Sequence, residues 1–143
     1  MKANAREYPA YPRVGVGALV FKKNRILLVK RGQPPSKDKW TVPGGLVELG
    51  ESLQDAIKRE VWEECDIKIN ITEVIYTFDY IEKDKTGKIR FHYVLIDYKA
   101  EYVEGDLKSR SDVQDARWFL PSEISSVDVA ESTLRLFRKL FLF

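Results

Sequence analysis

Three glutamates fall within five positions of the stretch KREVWEECDI, Lys58 to Ile67: Glu60, Glu63 and Glu64. Carboxylates this close repel unless something positive joins them. On a helical wheel with Glu60 at zero, Leu53 sits at about +20°, Ile57 at about +60° and Ala56 at about −40°, while Glu64 sits at about +40° and Glu63 at about −60°. Glu60 and Glu64 therefore continue the apolar stripe. A solvated helix puts its charges on the opposite face, and a buried unpaired carboxylate is costly. Either the helix end runs out of the core into a cleft, or cations sit there. Together the two describe a site for a hard cation such as Mg²⁺, which takes oxygen ligands and keeps positions open for water and phosphate. The triplet alone also suits a plain surface helix. Like charges at i,i+4 cost only on the order of a few tenths of a kcal/mol, and Arg59 with Glu63 would be an ordinary surface pair.

The surroundings decide between them. Upstream stands PGGLVELGE, so the full run reads Gly45, five residues, Glu51, seven residues, then Arg59-Glu60-Val61-Trp62-Glu63-Glu64-Cys65-Asp66-Ile67. This resembles the signature of the Nudix hydrolases, with every charged position matched. Asp66 departs from it, standing where the family has glycine. The site follows a helix and calls for a left-handed backbone, which Asp tolerates better than most residues. The resemblance implies hydrolysis of a nucleoside diphosphate linked to another moiety, assisted by Mg²⁺ or Mn²⁺. Carried over position by position, Glu60 and Glu64 are the principal metal ligands, with Glu63 in support and the Gly45 carbonyl as a backbone ligand. Glu51 helps hold a metal or its water. Arg59 orients the glutamates by ion pairing, and Gly44 and Gly45 let the backbone approach metal and substrate closely. The general base is a box glutamate or an acid of a later loop: Glu104, Asp106, Asp112 or Asp115. Asp115 is the first choice, because the strand after it would fix it near the sheet.

Arg31, at the end of a strand and before a Pro-rich loop, could meet phosphate. Tyr76, Phe78 and Tyr80 share a strand face and serve sheet packing or base stacking. Trp40 reads as core and His92 as structural. The resemblance extends to VGVGALVFKKNRILLVKRG, KWTVPGG, FHYVLIDY and DARWF, which look like the ADP-ribose pyrophosphatase or MutT-like branch. On that ground the expected reaction is ADP-ribose to AMP and ribose 5-phosphate. A nucleoside triphosphate pyrophosphohydrolase is the alternative. A non-catalytic nucleotide sensor is a third class, opposed by retention of all four box carboxylates. A formal net charge of +2 and the lack of a basic stripe argue against nucleic acid as partner.

These side chains need elements to hold them. Residues 1–12, with Pro9 and Pro12, read as an arm, and 13–143 as a single domain. Strands are expected over 14–21 and 26–29, joined by a tight turn at KKNR. A helix should run from about Leu53, capped by Ser52, to about Cys65. A long hairpin should span 67–98 with a register break near Thr72–Glu73. A polar loop over 103–114, a short strand over 116–120 and a closing amphipathic helix from Ala130 complete the chain. The order implies an α/β fold, a mixed sheet sandwiched between helices. Hydrophobic residues at 44% and charged residues at 32% suit a globular domain. One cysteine excludes an internal disulfide. The start lacks the apolar run of a secretory signal, and no segment offers the run of roughly 18 apolar residues a membrane span needs. A cytoplasmic protein is the expectation, with a homodimer through the arm or hairpin compatible with it.

Overall fold

The computed structural model describes residues 6–140. Among these residues seven strands, two α-helices and a short 3-10 helix follow one another as β1 (Arg13–Lys22), β2 (Arg25–Arg31), β3 (Trp40–Thr41), β4 (Gly44–Leu46), α1 (Leu53–Cys65), β5 (Lys68–Lys83), β6 (Ile89–Glu104), β7 (Val113–Phe119), the 3-10 turn Pro121–Ser126 and α2 (Glu131–Lys139). They form one mixed sheet in the order β3-β2-β1-β6-β5, with β4 added to β1 and β7 to β2. β1 runs parallel to β6 and antiparallel to β2 and β4. No helix among the described residues is long and apolar enough to cross a membrane.

Strand alternation sorts the apolar residues into two cores. Val16, Ala18, Val20, Leu27 and Val29 face α1 and meet its Ala56, Ile57, Val61 and Cys65. Leu19, Ile26, Leu28, Trp40 and Phe119 face the other way and meet Ile124, Leu136 and Phe137 of the 3-10 turn and α2. The sheet is therefore sandwiched between helices.

Helix α1 begins where Ser52 Oγ accepts the Asp55 N–H at 3.1 Å. It ends at Asp66, which adopts the left-handed conformation with φ 60°, the backbone the sequence calls for there. The loop 105–112 then folds back over this helix end. Its Lys108 and Arg110 N–H groups donate to the Cys65 and Glu64 carbonyls at 3.0 and 2.8 Å, satisfying carbonyls that the helix leaves open. The Lys108 and Arg110 side chains lie 3.7 and 3.3 Å from the Asp66 carboxylate.

The hairpin is longer than its sequence suggests. β6 continues through Glu104, with Lys99–Glu104 paired to Lys68–Glu73. The expected strand stops at 98 and a polar loop starts at 103, yet Ala100 and Tyr102 pack into the α1-side core, and a register shift between Ile71 and Glu73 carries the alternation across. The arm is anchored at Glu7 and Tyr8. Tyr8 donates its N–H to the Arg90 carbonyl at 2.7 Å and its hydroxyl to Asp84 at 2.9 Å, and Glu7 accepts from Arg90 at 3.0 Å. The closing helix is confined to Glu131–Lys139. The segment 121–126 that precedes it winds as a 3-10 turn started by Pro121.

A side chain branched at Cβ cannot take the Asp66 backbone without strain. Asp66→Val is expected to destabilise the protein by about 1–3 kcal/mol in denaturant unfolding, against about 1 kcal/mol or less for Asp66→Gly. Equal stabilities for the two variants would contradict a left-handed cap.

Candidate active site

Arg59 organises the acidic face of α1. Its Nε and Nη2 donate to the two oxygens of Glu51 at 2.7 and 2.9 Å. Its Nη1 donates to Glu60 Oε1 and Glu63 Oε1, each at 2.8 Å, and Nη2 also reaches the Leu46 carbonyl at 3.1 Å. One guanidinium thus ties three carboxylates on α1 and its approach loop to the end of β4. Charge-assisted bonds of this kind are the strong ones. The hydrogen bonds from Arg59 hold the Glu51 carboxyl far below its ordinary value, at about 2.

Glu64 is different. It is only 9% exposed, and Gly44 N–H donates to its Oε1 at 3.1 Å. Burial, followed by the charge of Glu60, pushes its carboxyl up to about 8. Burial also raises Glu60, against the pull of Arg59. Glu60 lies against Gly45, where any added Cβ would run into its carboxyl group. The missing side chain is what lets strand β4 pass over the helix at this point.

A cleft of about 570 Å³ opens on these groups. Glu60, Glu63 and Glu64 line it together with Asp112, Arg31 and Gly44. The acid that reaches the glutamates from the late loop is therefore Asp112, and Asp115 lies elsewhere. Ala116 and Trp118 pack into the α1-side core, so alternation sends Asp115 and Arg117 to the opposite face. There Asp115 is bound to Arg117 at 2.8 and 2.9 Å. Asp112 arrives at the helix end because the loop before it is pinned to the Glu64 and Cys65 carbonyls.

A second cleft, of about 710 Å³, adjoins the first on the α2 side of the sheet. Arg6, Arg31, Thr41, Val42 and Gly44 border both. Its walls are Leu46, Phe78, Tyr80, Tyr93 and Leu95, and Asp97, Ser132 and Thr133 supply polar groups. Phe78 lines this cleft. Tyr76 stands behind it, stacked on Phe78 at 4.8 Å and packed in the α2-side core. Arg31 donates Nε to the Pro35 carbonyl, and burial lowers the pKa of its guanidinium. Trp40 is core, edge-on to Phe119 at 5.2 Å. Sequence reasoning missed Arg6, Tyr93 and Asp97. For Asp97 a signal existed: a lone acid in the apolar alternation of FHYVLIDY.

The model of the NUDIX domain family matches residues 11–140. The chain belongs to the Nudix family. An ADP-ribose pyrophosphatase of Methanocaldococcus jannaschii is 31% identical over 120 residues, covering 82% of this chain and 69% of that protein. An NAD-capped RNA hydrolase, NudC, of Chromobacterium violaceum is 26% identical over 131 residues, covering 87% of this chain and 46% of that longer protein. The crystal structure of a MutT Nudix hydrolase from Burkholderia pseudomallei superposes with a TM-score of 0.80 at 27% identity, covering 91% of this chain and 98% of that one. The names agree on Nudix hydrolysis and differ on substrate.

Nudix hydrolases generally use divalent metal ions, and the residues present fit one. The donors are all oxygen, as a hard cation prefers. Glu64 is a buried carboxyl that accepts from one backbone N–H, and the Glu60 carboxyl lies against Gly45. Among the described residues no three acids already stand as a finished ligand cage. Arg59 engages Glu60 Oε1 and Glu63 Oε1, which leaves Glu60 Oε2, Glu63 Oε2 and Glu64 as donors on α1 beside the cleft that these residues line.

If Arg59 holds this arrangement, Arg59→Met should lower kcat by about a hundredfold or more, because misplaced groups lose the reacting geometry. The same variant tests the linkage. Glu51 has a depressed pKa in the folded protein, so its contribution is present above pH 4.5 and is lost as pH falls toward about 2. Denaturant unfolding of Arg59→Met should lack this loss between those limits. A variant with wild-type acid sensitivity would show that Arg59 does not set the Glu51 pKa.

Proposed function

We propose that the protein hydrolyses the diphosphate linkage of ADP-ribose, yielding AMP and ribose 5-phosphate. One observation carries the reading: an aromatic-walled cleft and a carboxylate cleft share the border formed by Arg31, Gly44 and Val42. A base fits the first, a diphosphate crosses the border, and the scissile bond lies over the glutamates. The likeness to the ADP-ribose pyrophosphatase of Methanocaldococcus jannaschii supports the choice of substrate.

In this reading Glu60, Glu64 and the Gly45 carbonyl would hold Mg²⁺ or Mn²⁺, with Glu63 in support. When bound, the cation would neutralise the diphosphate and acidify the attacking water. The chain's own groups do the rest. Arg31 meets the phosphates from the border, its Nη donors directed by the Nε bond to Pro35. Arg59 keeps Glu51, Glu60 and Glu63 in one arrangement before substrate arrives, so little reorganisation is left for the transition state. Asp112 lines the carboxylate cleft with the glutamates, and in this reading its carboxylate takes the proton of the attacking water. Phe78 and Tyr80 exclude solvent from the base side.

A second reading, pyrophosphate release from nucleoside triphosphates, rests on the likeness to the MutT Nudix hydrolase structure. The purified protein, given Mg²⁺ and a panel of ADP-ribose, NADH, diadenosine polyphosphates and nucleoside triphosphates, decides between them. AMP and ribose 5-phosphate from ADP-ribose are expected. Pyrophosphate from triphosphates alone would favour the second reading. Glu64→Gln and Asp112→Asn should each cut kcat on the true substrate by about a hundredfold or more, with the Gln variant at least as stable as the wild type because a buried acid is gone. Turnover surviving in Glu64→Gln would exclude this site.

A further inference from the structure

Three residues of β6 point into the larger cleft from one strand face: Tyr93, Leu95 and Asp97. Across the parallel pairing they stand beside Arg13, Gly15 and Gly17 of β1. The two glycines make room. A Cβ at Gly15 would meet the Leu95 side chain, and a Cβ at Gly17 would run into Asp97 Oδ1. The cleft floor is thus a strip of bare β1 backbone beside a row of β6 side chains.

Two polar groups on this floor lack partners. The Tyr93 hydroxyl is buried and makes no hydrogen bond among the described residues. Asp97 is 5% exposed, and no hydrogen bond or ion pair reaches its carboxyl among the described residues. Native structures satisfy nearly all buried polar atoms. A buried acid left open to a cavity costs stability, and such costs gather where a ligand supplies the missing bonds. Burial alone pushes the Asp97 carboxyl up to about 7. The other ionisable groups on the cavity wall are Arg6, Arg31, Tyr80 and Tyr93, and none of them is a cause of that shift.

We propose that Asp97 is the residue that holds the base edge of the nucleotide, accepting from the exocyclic amine of adenine and donating to the adjacent ring nitrogen. A protonated carboxyl carries one donor and one acceptor side by side. The amine and ring nitrogen of adenine present the complementary pair. Tyr93 stands beside this contact, four residues earlier on the same face, and Leu95 lies between the two. Asp97 is then a base-binding residue remote from bond cleavage. The inference rests on the reading of the substrate as an adenine nucleotide and adds the group that holds its base.

The test is equilibrium binding of AMP and of ribose 5-phosphate, which lacks a base, to the intact chain with Mg²⁺ present, since neither has an anhydride to cleave. The wild type should bind AMP ahead of ribose 5-phosphate. Asp97→Leu should weaken AMP about tenfold and leave ribose 5-phosphate unchanged, which narrows the gap. Asp97→Asn keeps one donor and one acceptor and should keep the preference for AMP. A folded-state value raised from the ordinary 3.8 to about 7 makes the wild type lose stability as pH rises through that window. Asp97→Asn should therefore gain stability over the wild type at about pH 8 and gain little at about pH 4, which also shows that the variant is folded. A wild type that binds both alike, a gap that survives undiminished in Asp97→Leu, or an Asn variant as impaired as the Leu variant would each overturn the proposal. A base contact through Asp97 without ADP-ribose cleavage would sink only the substrate reading. ADP-ribose cleavage with binding indifferent to position 97 would sink only the role of Asp97.

Discussion

One guanidinium holds the site together. Mutual repulsion would drive Glu51, Glu60 and Glu63 apart, and Arg59 reverses that by bonding all three. It also grips the Leu46 carbonyl, which fixes strand β4 against the helix. The glycine strand, the acidic helix and the loop between them behave as one unit because a single cation spans them. Glu64 stands beyond its reach, buried and held by one backbone N–H. The imbalance between three compensated acids and one uncompensated acid gives the cleft its demand for positive charge.

The sheet divides the labour. The face toward α1 carries the carboxylates, and the face toward α2 carries the aromatic cleft. The two meet where β4 joins β1 and where Arg31 leaves β2. The loop 105–112 adds the last acid by bonding to the end of α1. Its contacts with the Glu64 and Cys65 carbonyls compensate the helix terminus and deliver Asp112 together.

Much of this was legible in the residues. The wheel placed Glu60 and Glu64 on the apolar stripe, and both are turned inward. Asp66 read as a left-handed cap and is one. Trp40 read as core, and the break near Thr72–Glu73 is a register shift between paired strands. What failed to show depends on contacts far apart in sequence. That Asp112 and not Asp115 lines the cleft follows from which face Ala116 and Trp118 pack on, which no local pattern states. The extension of β6 to Glu104 was hidden because its outward residues are charged. Gly15 and Gly17 signalled close approach, but only the parallel register shows that they clear space for Leu95 and Asp97.

Because β1 pairs in parallel with β6, the floor of the aromatic cleft is built from strands that contribute no acid to the hydrolytic face. Drift at positions 93, 95 or 97 can reshape what the cleft admits while Arg59 and its glutamates stay as they are. Selectivity and bond breaking can therefore evolve separately in this chain, and near relatives sharing its acidic helix need not share its diet of nucleotides.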